Sequence, residues 1–362
     1  MTNVNINKVI FLTGATGFLG SYLLKIFLEN GYKVFALARS KNNLDTETRI
    51  IKTLKFWDKS VLKKINNLEI IEGSICKKNL GICKATRHRL SEHVTEIFHA
   101  AALTELNVPL KLIHKVNVQG TKNVLDLALN WNKNRSLKKV NHISTAYVYG
   151  NYKNVFKEND LNKGQKFHTN YERSKFEAEK LMFQYRKKGL WIDIFRPPMI
   201  LGESTTGKTF QFKHIYQFLK LCKLELFDSL PLAQGSVSIV PIDITSKAIY
   251  LLDKNCTIRN STYHPFPNKL NSIATIIKTG AKIMGYKSPQ LITPANFSTL
   301  KLTPVQMMLL NNPAFSINFQ SEINSKRTNC ILKKYHYKIP SVGIKTLSTM
   351  IKYYSTRNKG II

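Results

Sequence analysis

Two side chains four positions apart have the types and spacing for proton-transfer chemistry. Tyr171 and Lys175 stand in "YERSKFEAEK" (171–180), which has the composition of a helix beginning. Residues i and i+4 share one face of a helix, so the ammonium would lie beside the phenol. At about 4 Å and an effective dielectric near 20, it would favour tyrosinate by up to ~4 kcal/mol, or roughly three pKa units before desolvation. Because tyrosine and lysine are frequent in this chain, such a pair is expected by chance, and on its own it is better explained as two polar side chains on a solvated helix face.

A glycine-rich turn near the N-terminus joins a predicted strand to a predicted helix. The run "VIFL" is apolar without alternation, as parallel strands covered on both faces are. Gly14, Gly17 and Gly20 follow it, and then come the helical spacing of "YLLKIFLEN" and a second strand, "KVFALA". Such glycines permit a tight turn, close approach of a pyrophosphate and close helix–strand packing. Since the helix N-terminus would offer free N–H groups to phosphates, the segment predicts a dinucleotide site.

The end of the second predicted strand indicates which dinucleotide binds. An NAD site usually has Asp or Glu there to hold the ribose hydroxyls. Here the strand ends "LARS", with Arg39 and Ser40 in that place. A guanidinium can hold a 2′-phosphate in a fork, whereas a carboxylate would repel it, so the sequence predicts NADPH. Arg49, in a predicted helix that begins near "TETRII", either assists that phosphate, covers the adenine or is an ordinary surface arginine.

The alternation of strands and helices continues through "LEIIEGS", "VTEIFHAAA", "NVQGTKNVLDLALN" and "VNHISTAYVYG". This rhythm predicts an α/β fold: a Rossmann-type, doubly wound parallel sheet with a smaller C-terminal region that caps the substrate. We expect an NADP-binding domain over 1–198, with a strand and helix returning at about 236–266, and a substrate-binding region over 199–362. In particular, "GSVSIVPIDI" is expected to return a strand to the sheet. Ligands of such sheets lie beyond the carboxyl ends of the strands, where "HAAA" and "STAYVYG" stand.

The charge of the chain favours anionic partners. Among 362 residues, 55 are Lys or Arg and 22 are Asp or Glu, a formal net charge of +33. Such a field attracts a phosphorylated cofactor, coenzyme A, an acidic carrier protein or nucleic acid. The basic residues are spread along the chain and accompany no nucleic-acid-binding signature, so no specific nucleic acid is expected. Part of the excess is also explained by a Lys-, Asn- and Ile-rich composition.

The remaining composition predicts a cytoplasmic protein without a metal. Five cysteines are scattered without a C-x-x-C spacing, which favours reduced thiols and disfavours a zinc site. The apolar runs are interrupted well short of a membrane span. The N-terminus has no secretory-signal pattern.

Six motifs together resemble the extended short-chain dehydrogenases/reductases. They are "TGATGFLG", "HAAA", "NVQGT", "ISTAYVYG", "YERSK" and "FRPPMILGE", in that family's order and spacing over about the first 200 residues. The resemblance implies an active site of one hydroxyl residue, a tyrosine and a lysine. By motif position these are Thr145, rather than Ser144, with Tyr171 and Lys175. It implies that Tyr171 is the proton donor, that Lys175 activates it and holds the nicotinamide ribose, and that Thr145 bonds the substrate carbonyl.

The same motifs imply the residues that contact the cofactor. Two positions depart from the family pattern, because Ser74 replaces a usual aspartate near the adenine and Ala100 replaces a common asparagine. The implied cofactor-binding set is Gly14, Thr16, Gly17, Phe18, Leu19, Gly20, Arg39, Arg49, Ser74, Ile75, Ala100, Ala101, Ala102, Asn117, Tyr171, Lys175 and Pro198.

Within that family, the finer pattern looks most like thioester reductases. "LARSKNNLDTETRIIKTL", "EGSICKKNLGI" and "SIVPIDITSKAIYLL" carry the similarity, which weakens toward residue 286. It implies NADPH-dependent reduction of an acyl thioester, on coenzyme A or on an acidic carrier protein acting in trans, to an aldehyde, which the same site could reduce again to an alcohol. Two alternatives stay open: a sugar-nucleotide epimerase, dehydratase or ketone reductase, and a non-catalytic NADPH sensor. The acyl chain and the oligomeric state are not determined by the sequence.

Overall fold

The strands of this computed structural model are short, and most are buried. It describes residues 8–134, 136–232, 235–310 and 323–357. In chain order the strands are β1 (Val9–Thr13), β2 (Lys33–Ala38), β3 (Leu68–Glu72), β4 (Glu96–His99), β5 (Lys139–Ile143), β6 (Ile192–Phe195), β7 (Met199–Leu201), β8 (Ser229–Leu230), β9 (Ser236–Val237), β10 (Ile239–Pro241), β11 (Thr262–Tyr263), β12 (Asn271–Ser272) and β13 (Gln290–Leu291).

Helices connect these strands, with 3-10 segments over Lys59–Asn67, Lys78–Gly81 and Ala146–Tyr149 and a π turn over Lys115–Gln119. The α-helices are α1 (Phe18–Glu29), α2 (Thr46–Trp57), α3 (Lys84–His93), α4 (Leu110–His114), α5 (Gly120–Asn132), α6 (Asn170–Lys187), α7 (Ile215–Lys223), α8 (Ile242–Asn255), α9 (Ile273–Met284), α10 (Pro294–Ser298), α11 (Pro304–Leu310), α12 (Lys326–Lys333) and α13 (Ile344–Arg357). None of these helices is long and apolar enough to cross a bilayer.

A seven-stranded parallel sheet has the order β3-β2-β1-β4-β5-β6-β11. Successive strands build outward from β1 on one side and from β4 on the other, so the order reverses between these two strands. The centre of β1 and of the strands on either side of it is apolar and wholly buried. Phe11 of β1 is in register with Phe35 of β2 on one side and with Ile97 of β4 on the other. The predicted Rossmann-type fold is confirmed, and its ligand crevice belongs at the carboxyl ends of β1 and β4.

The described residues form two compact units. The first takes those up to Val148, Asn170–Arg196 and Ile249–His264. In its core, Phe11 meets Trp131 of α5 edge to face, with ring centroids 5.3 Å apart. The second takes Tyr149–Thr169, Pro197–Ala248 and the described residues from Pro265 onward. Residues 149–169 and 197–198 belong to the second unit, although they lie inside the domain predicted over 1–198. In the folded chain they pack with the later residues of the second unit and not with their neighbours in sequence.

The strand that returns to the central sheet is not the one predicted. Within "GSVSIVPIDI", β9 pairs with β12 and β10 pairs with β7, each in a separate two-stranded sheet. The returning strand is instead β11, whose Thr262 and Tyr263 pair with Ile194 and Phe195 of β6. The prediction for this segment was wrong. The apolar pattern of "SIVP" indicates a buried strand, but it does not indicate which other strand pairs with it.

Candidate active site

The glycine turn after β1 has the shape of a dinucleotide cradle. Gly14 has φ +80°, a conformation that costs other residues energy, and a Cβ there would lie 2.6 Å from the carbonyl carbon of Ala100. A Cβ at Gly20 would collide with the Gly14 backbone, so α1 can pack this closely only because Gly20 has no side chain. Gly17 is the N-cap of α1, without a side-chain cap and without an acidic residue in the first turn. The N-terminus of α1 therefore presents N–H groups beside an open turn, which fits a pyrophosphate.

Two arginines converge beyond the end of β2. Arg49 of α2 donates through Nη1 to the backbone oxygen of Arg39 and through Nη2 to Oγ1 of Thr16, at 3.1 Å. Burial, with a smaller effect from the charge of Arg39, lowers the pKa of Arg49. Within the part of the chain that the structure describes, neither guanidinium forms an ion pair. Two cations without a carboxylate partner, next to the glycine turn, fit a phosphate monoester on the ribose.

Other residues of the predicted cofactor-binding set also lie in the first unit, where several contact neighbouring backbone or side chains. The Ser74 hydroxyl accepts from the N–H of Cys76 at 3.3 Å, and Ile75 is packed against Gly120 at the beginning of α5. The Asn117 amide bonds both backbone groups of Leu103, at 2.7 and 3.0 Å, which fixes the chain after β4.

Three further members of the set have mostly apolar surroundings. Phe18 packs on Trp57 with ring centroids 5.7 Å apart, Leu19 is buried on α1, and Ala102 is half-buried after β4. Pro198 lies in the second unit, where it is buried.

The hydroxyl residue and the tyrosine of the predicted catalytic set come together. Tyr171 stands at the beginning of α6, as its spacing to Lys175 predicted, and its hydroxyl forms a hydrogen bond with Thr145 beyond the end of β5. Ser144 is occupied elsewhere, since its hydroxyl donates to Oε1 of Glu179 at 2.5 Å. In this arrangement the Thr145 hydroxyl contacts Tyr171, whereas the Ser144 hydroxyl contacts Glu179.

Lys175 follows Tyr171 by one turn of α6, and a backbone carbonyl holds its amine. Its amine donates to the carbonyl oxygen of Ile143 at 2.7 Å and lies 3.4 Å from Nε2 of His142. Burial lowers the pKa of Lys175 to about 8, and the Glu179 carboxylate partly opposes this shift. The amine therefore remains mostly protonated at neutral pH.

The expected lowering of the tyrosine pKa is not found. Burial raises the pKa of Tyr171 to about 12, against a smaller lowering effect of the hydrogen bond with Thr145, and Lys175 is not among the causes. The expectation from spacing was wrong in sign because it counted the Coulombic attraction and left out desolvation, which dominates at this buried hydroxyl. Tyr171 is thus a neutral phenol in this state, with its proton still in place.

A buried ion pair that was not predicted supports the set. Arg196 and Glu179 are both fully buried, and the guanidinium contacts the carboxylate through Nε at 2.9 Å and Nη2 at 2.6 Å. Since Glu179 lies one turn after Lys175 and also bonds Ser144, it links α6 to the end of β5. The signals available in the sequence were the carboxylate four positions after Lys175 and the arginine of "FRPP".

Two buried histidines lie below the lysine. His99 bonds Thr13 through Nδ1 at 2.8 Å and Thr121 through Nε2 at 2.9 Å, and its ring centroid is 5.2 Å from that of His142. Burial, followed by the charge of Lys175, lowers the pKa of His99 to about 3 and that of His142 well below its usual value. Both rings are neutral, so His142 can accept a hydrogen bond from Lys175 without repelling it.

The sheet order, the glycine turn and the Thr-Tyr-Lys set define an extended short-chain dehydrogenase/reductase, a class of oxidoreductases. The chain belongs to the Male sterility protein family of NAD(P)-binding domains, whose model matches residues 12–249. The resemblance stated from the motifs is thereby confirmed. Among the residues that the structure describes, no group of three histidine, cysteine or acidic side chains could hold a metal ion.

Curated relatives are much longer than this chain. L-2-aminoadipate reductase of Schizosaccharomyces pombe is 29% identical over 284 residues, which is 71% of this chain and 19% of that protein. A nonribosomal peptide synthetase of Aspergillus flavus is 27% identical over 270 residues, 71% of this chain and 26% of that protein. The chain therefore spans about a quarter or less of the length of these two relatives.

Solved structures share the fold at lower identity. The terminal R domain of the myxalamid PKS-NRPS pathway matches with a TM-score of 0.81 at 24% identity, over 97% of this chain and 91% of that one. UDP-glucuronic acid 4-epimerase of Bacillus cereus, in complex with NAD, matches with a TM-score of 0.69 at 18% identity, over 97% and 100%.

Proposed function

We propose that the protein is an NADPH-dependent reductase of acyl thioesters, which forms an aldehyde and can reduce it further to an alcohol. The observation that carries the proposal is the hydrogen bond between Thr145 and Tyr171, with the buried amine of Lys175 one turn further along α6. Two relatives support the substrate class, since one is an aminoadipate reductase and another a nonribosomal peptide synthetase.

The chain's own groups suit the reduction of a carbonyl. The Thr145 hydroxyl and the Tyr171 phenol can both donate to the substrate oxygen, and Tyr171 then gives up its proton to that oxygen. The protonated Lys175, one helical turn after Tyr171, supplies the nearby positive charge that would favour a phenolate as it forms. The cofactor, when bound, supplies the hydride. A thioester reduced in this way loses its thiol to give the aldehyde.

The preference for NADPH over NADH rests on Arg39 and Arg49. Their convergence beside Thr16 supports a phosphate on the ribose, and the chain has no acidic residue at the end of β2 to hold a bare ribose. This arrangement also disfavours an epimerase that retains NAD, although such an enzyme shares the fold. A sensor that only binds the nucleotide would have no need of Thr145, Tyr171 and Lys175 together.

The proposal is tested by following NADPH consumption with octanoyl-CoA, a carrier-loaded acyl group and a sugar nucleotide. We expect turnover with at least one of the two thioesters and none with the sugar nucleotide. Tyr171→Phe should abolish turnover and leave the Kd for NADPH nearly unchanged. Tyr185→Phe, on the same helix and bonded to Asp126 instead, is the matched control and should remain active. Consumption with the sugar nucleotide alone would overturn the proposed substrate class.

A further inference from the structure

A buried histidine next to the candidate active site has no part in the chemistry described so far. His142 lies on β5, next to Ile143 in the chain, and its side chain is fully buried. Its Nε2 is 3.4 Å from the amine of Lys175, which also donates to the carbonyl oxygen of Ile143 at 2.7 Å. All three residues belong to the first unit. The imidazole is therefore a second partner that β5 offers to this amine, besides the backbone.

The protonation of the ring follows from this contact. An ammonium group only donates, so Nε2 of His142 presents its lone pair to Lys175 and the ring proton is on Nδ1. Among the residues that the structure describes, Nδ1 has no hydrogen-bond partner. A buried N–H without a partner costs free energy, so packing alone would favour an apolar side chain at this position. The acceptor that the ring gives to Lys175 explains why a histidine is present.

The charges around the amine would not change if His142 were replaced. Other ionisable groups lie on α6 and on, or just after, the strands of the same sheet: Tyr171, Glu179, His99 and Arg196. The Glu179 carboxylate favours the charged form of Lys175 and is itself paired with Arg196. Burial keeps both imidazoles neutral, and it keeps the proton on the phenol. His142 therefore acts on the amine as an uncharged acceptor.

We propose that His142 is a positioning residue for Lys175, whose ammonium it keeps charged and fixed to β5 by accepting a hydrogen bond at Nε2. With two of its three N–H groups bound to β5, the ammonium has one left for the tyrosine or the cofactor ribose. This inference deepens the proposed function, and it rests on that function for the use of the charge in turnover.

The first test needs neither substrate nor cofactor. Lysines are labelled with ¹³C at the ε-methylene carbon, and the NMR signal that Lys175→Met removes is followed from about pH 6 to about pH 9.5. His142→Leu removes the acceptor and should lower the pKa of Lys175 by about one unit, a modest effect because the contact is long. His142→Gln offers an amide oxygen in place of Nε2 and should return the pKa toward about 8.

The matched control is His99→Leu. It removes a second buried imidazole from the same sheet, one whose two nitrogens contact Thr13 and Thr121. This variant should disturb packing about as much as His142→Leu and leave the pKa of Lys175 nearly unchanged. Equal shifts in both variants, or no shift in a folded His142→Leu protein, would overturn the inference. Should His142→Leu not fold, His142→Phe takes its place, because it keeps a flat ring without an acceptor.

The second test distinguishes this inference from the proposed function. With a thioester substrate, the alkaline limb of the kcat/KM profile should move down by about one pH unit in His142→Leu and return in His142→Gln. The KM at about pH 6 should stay nearly unchanged. If the pKa of Lys175 moves as expected but no thioester is reduced, the proposed function fails and the role of His142 stands. If thioesters are reduced and the limb stays in place while the pKa moves, the inference about His142 is overturned and the proposed function stands.

Discussion

Replacing Lys175 with methionine should change how stability depends on pH. The pKa of Lys175 falls from its ordinary 10.5 to about 8 in the folded protein, so holding its charge at neutral pH costs about 3 kcal/mol. Between these two values the unfolded chain binds more protons than the folded one, and wild-type stability rises with pH through that window. Lys175→Met has no such proton to lose. From about pH 6.5 to about pH 9.5, wild type should therefore gain about 2 kcal/mol of unfolding free energy relative to the variant.

The assay is urea unfolding of both proteins at several pH values, with the difference in free energy plotted against pH. Taking the difference removes every group that titrates identically in the two proteins, and the hydrogen bond to Ile143 lost in the variant adds only a constant offset. Lys180→Met is the control, because Lys180 is exposed on the same helix and its removal should leave the difference flat. A flat line for Lys175→Met as well would refute the claim that a charged lysine is buried here.

Three further outcomes follow from the same geometry. Arg39→Gln/Arg49→Gln should raise the Kd for NADPH at least tenfold and leave that for NADH nearly unchanged, as measured by fluorescence titration; equal losses for both would remove the phosphate assignment. Gly14→Ala should lower the free energy of unfolding by about 2 kcal/mol or more and abolish nucleotide binding, because it places a Cβ in a left-handed turn against the chain after β4; a stable, binding-competent variant would contradict this. With a thioester substrate, kcat/KM should fall above about pH 8 as Lys175 loses its proton; a profile without that limb would argue against its role.

Local patterns in the sequence were sufficient for the elements that hold the site. The glycine turn, the buried strand before it and the helix after it follow from residue types within a few positions of one another, and so does the register of Tyr171 and Lys175 on α6. The two-residue strand at Thr262–Tyr263 could not be found in this way, because so short a segment has no periodicity to detect.

Features that depend on contacts between distant parts of the chain could not be predicted from the sequence. Glu179 and Arg196 become partners only when α6 and β6 pack together, and neither type of residue is expected to be fully buried unless it is paired. The pKa of Tyr171 is a second case. Spacing along α6 placed Lys175 one turn after Tyr171, whereas burial of the Tyr171 hydroxyl decided the sign of the pKa shift.

A tyrosine with a pKa of about 12 is still an adequate acid for the proposed reaction. When a carbonyl carbon receives a hydride, its oxygen becomes an alkoxide, a base comparable with hydroxide, whose conjugate acid has a pKa of about 15.7. Proton transfer from Tyr171 is then downhill by roughly three to four pKa units, or about 5 kcal/mol. The burial that raises the pKa of Tyr171 therefore does not disable it, because it keeps the proton on the phenol until the alkoxide forms. The same shift disfavours the tyrosinate that alcohol oxidation would require, so this state of the site is suited to reduction.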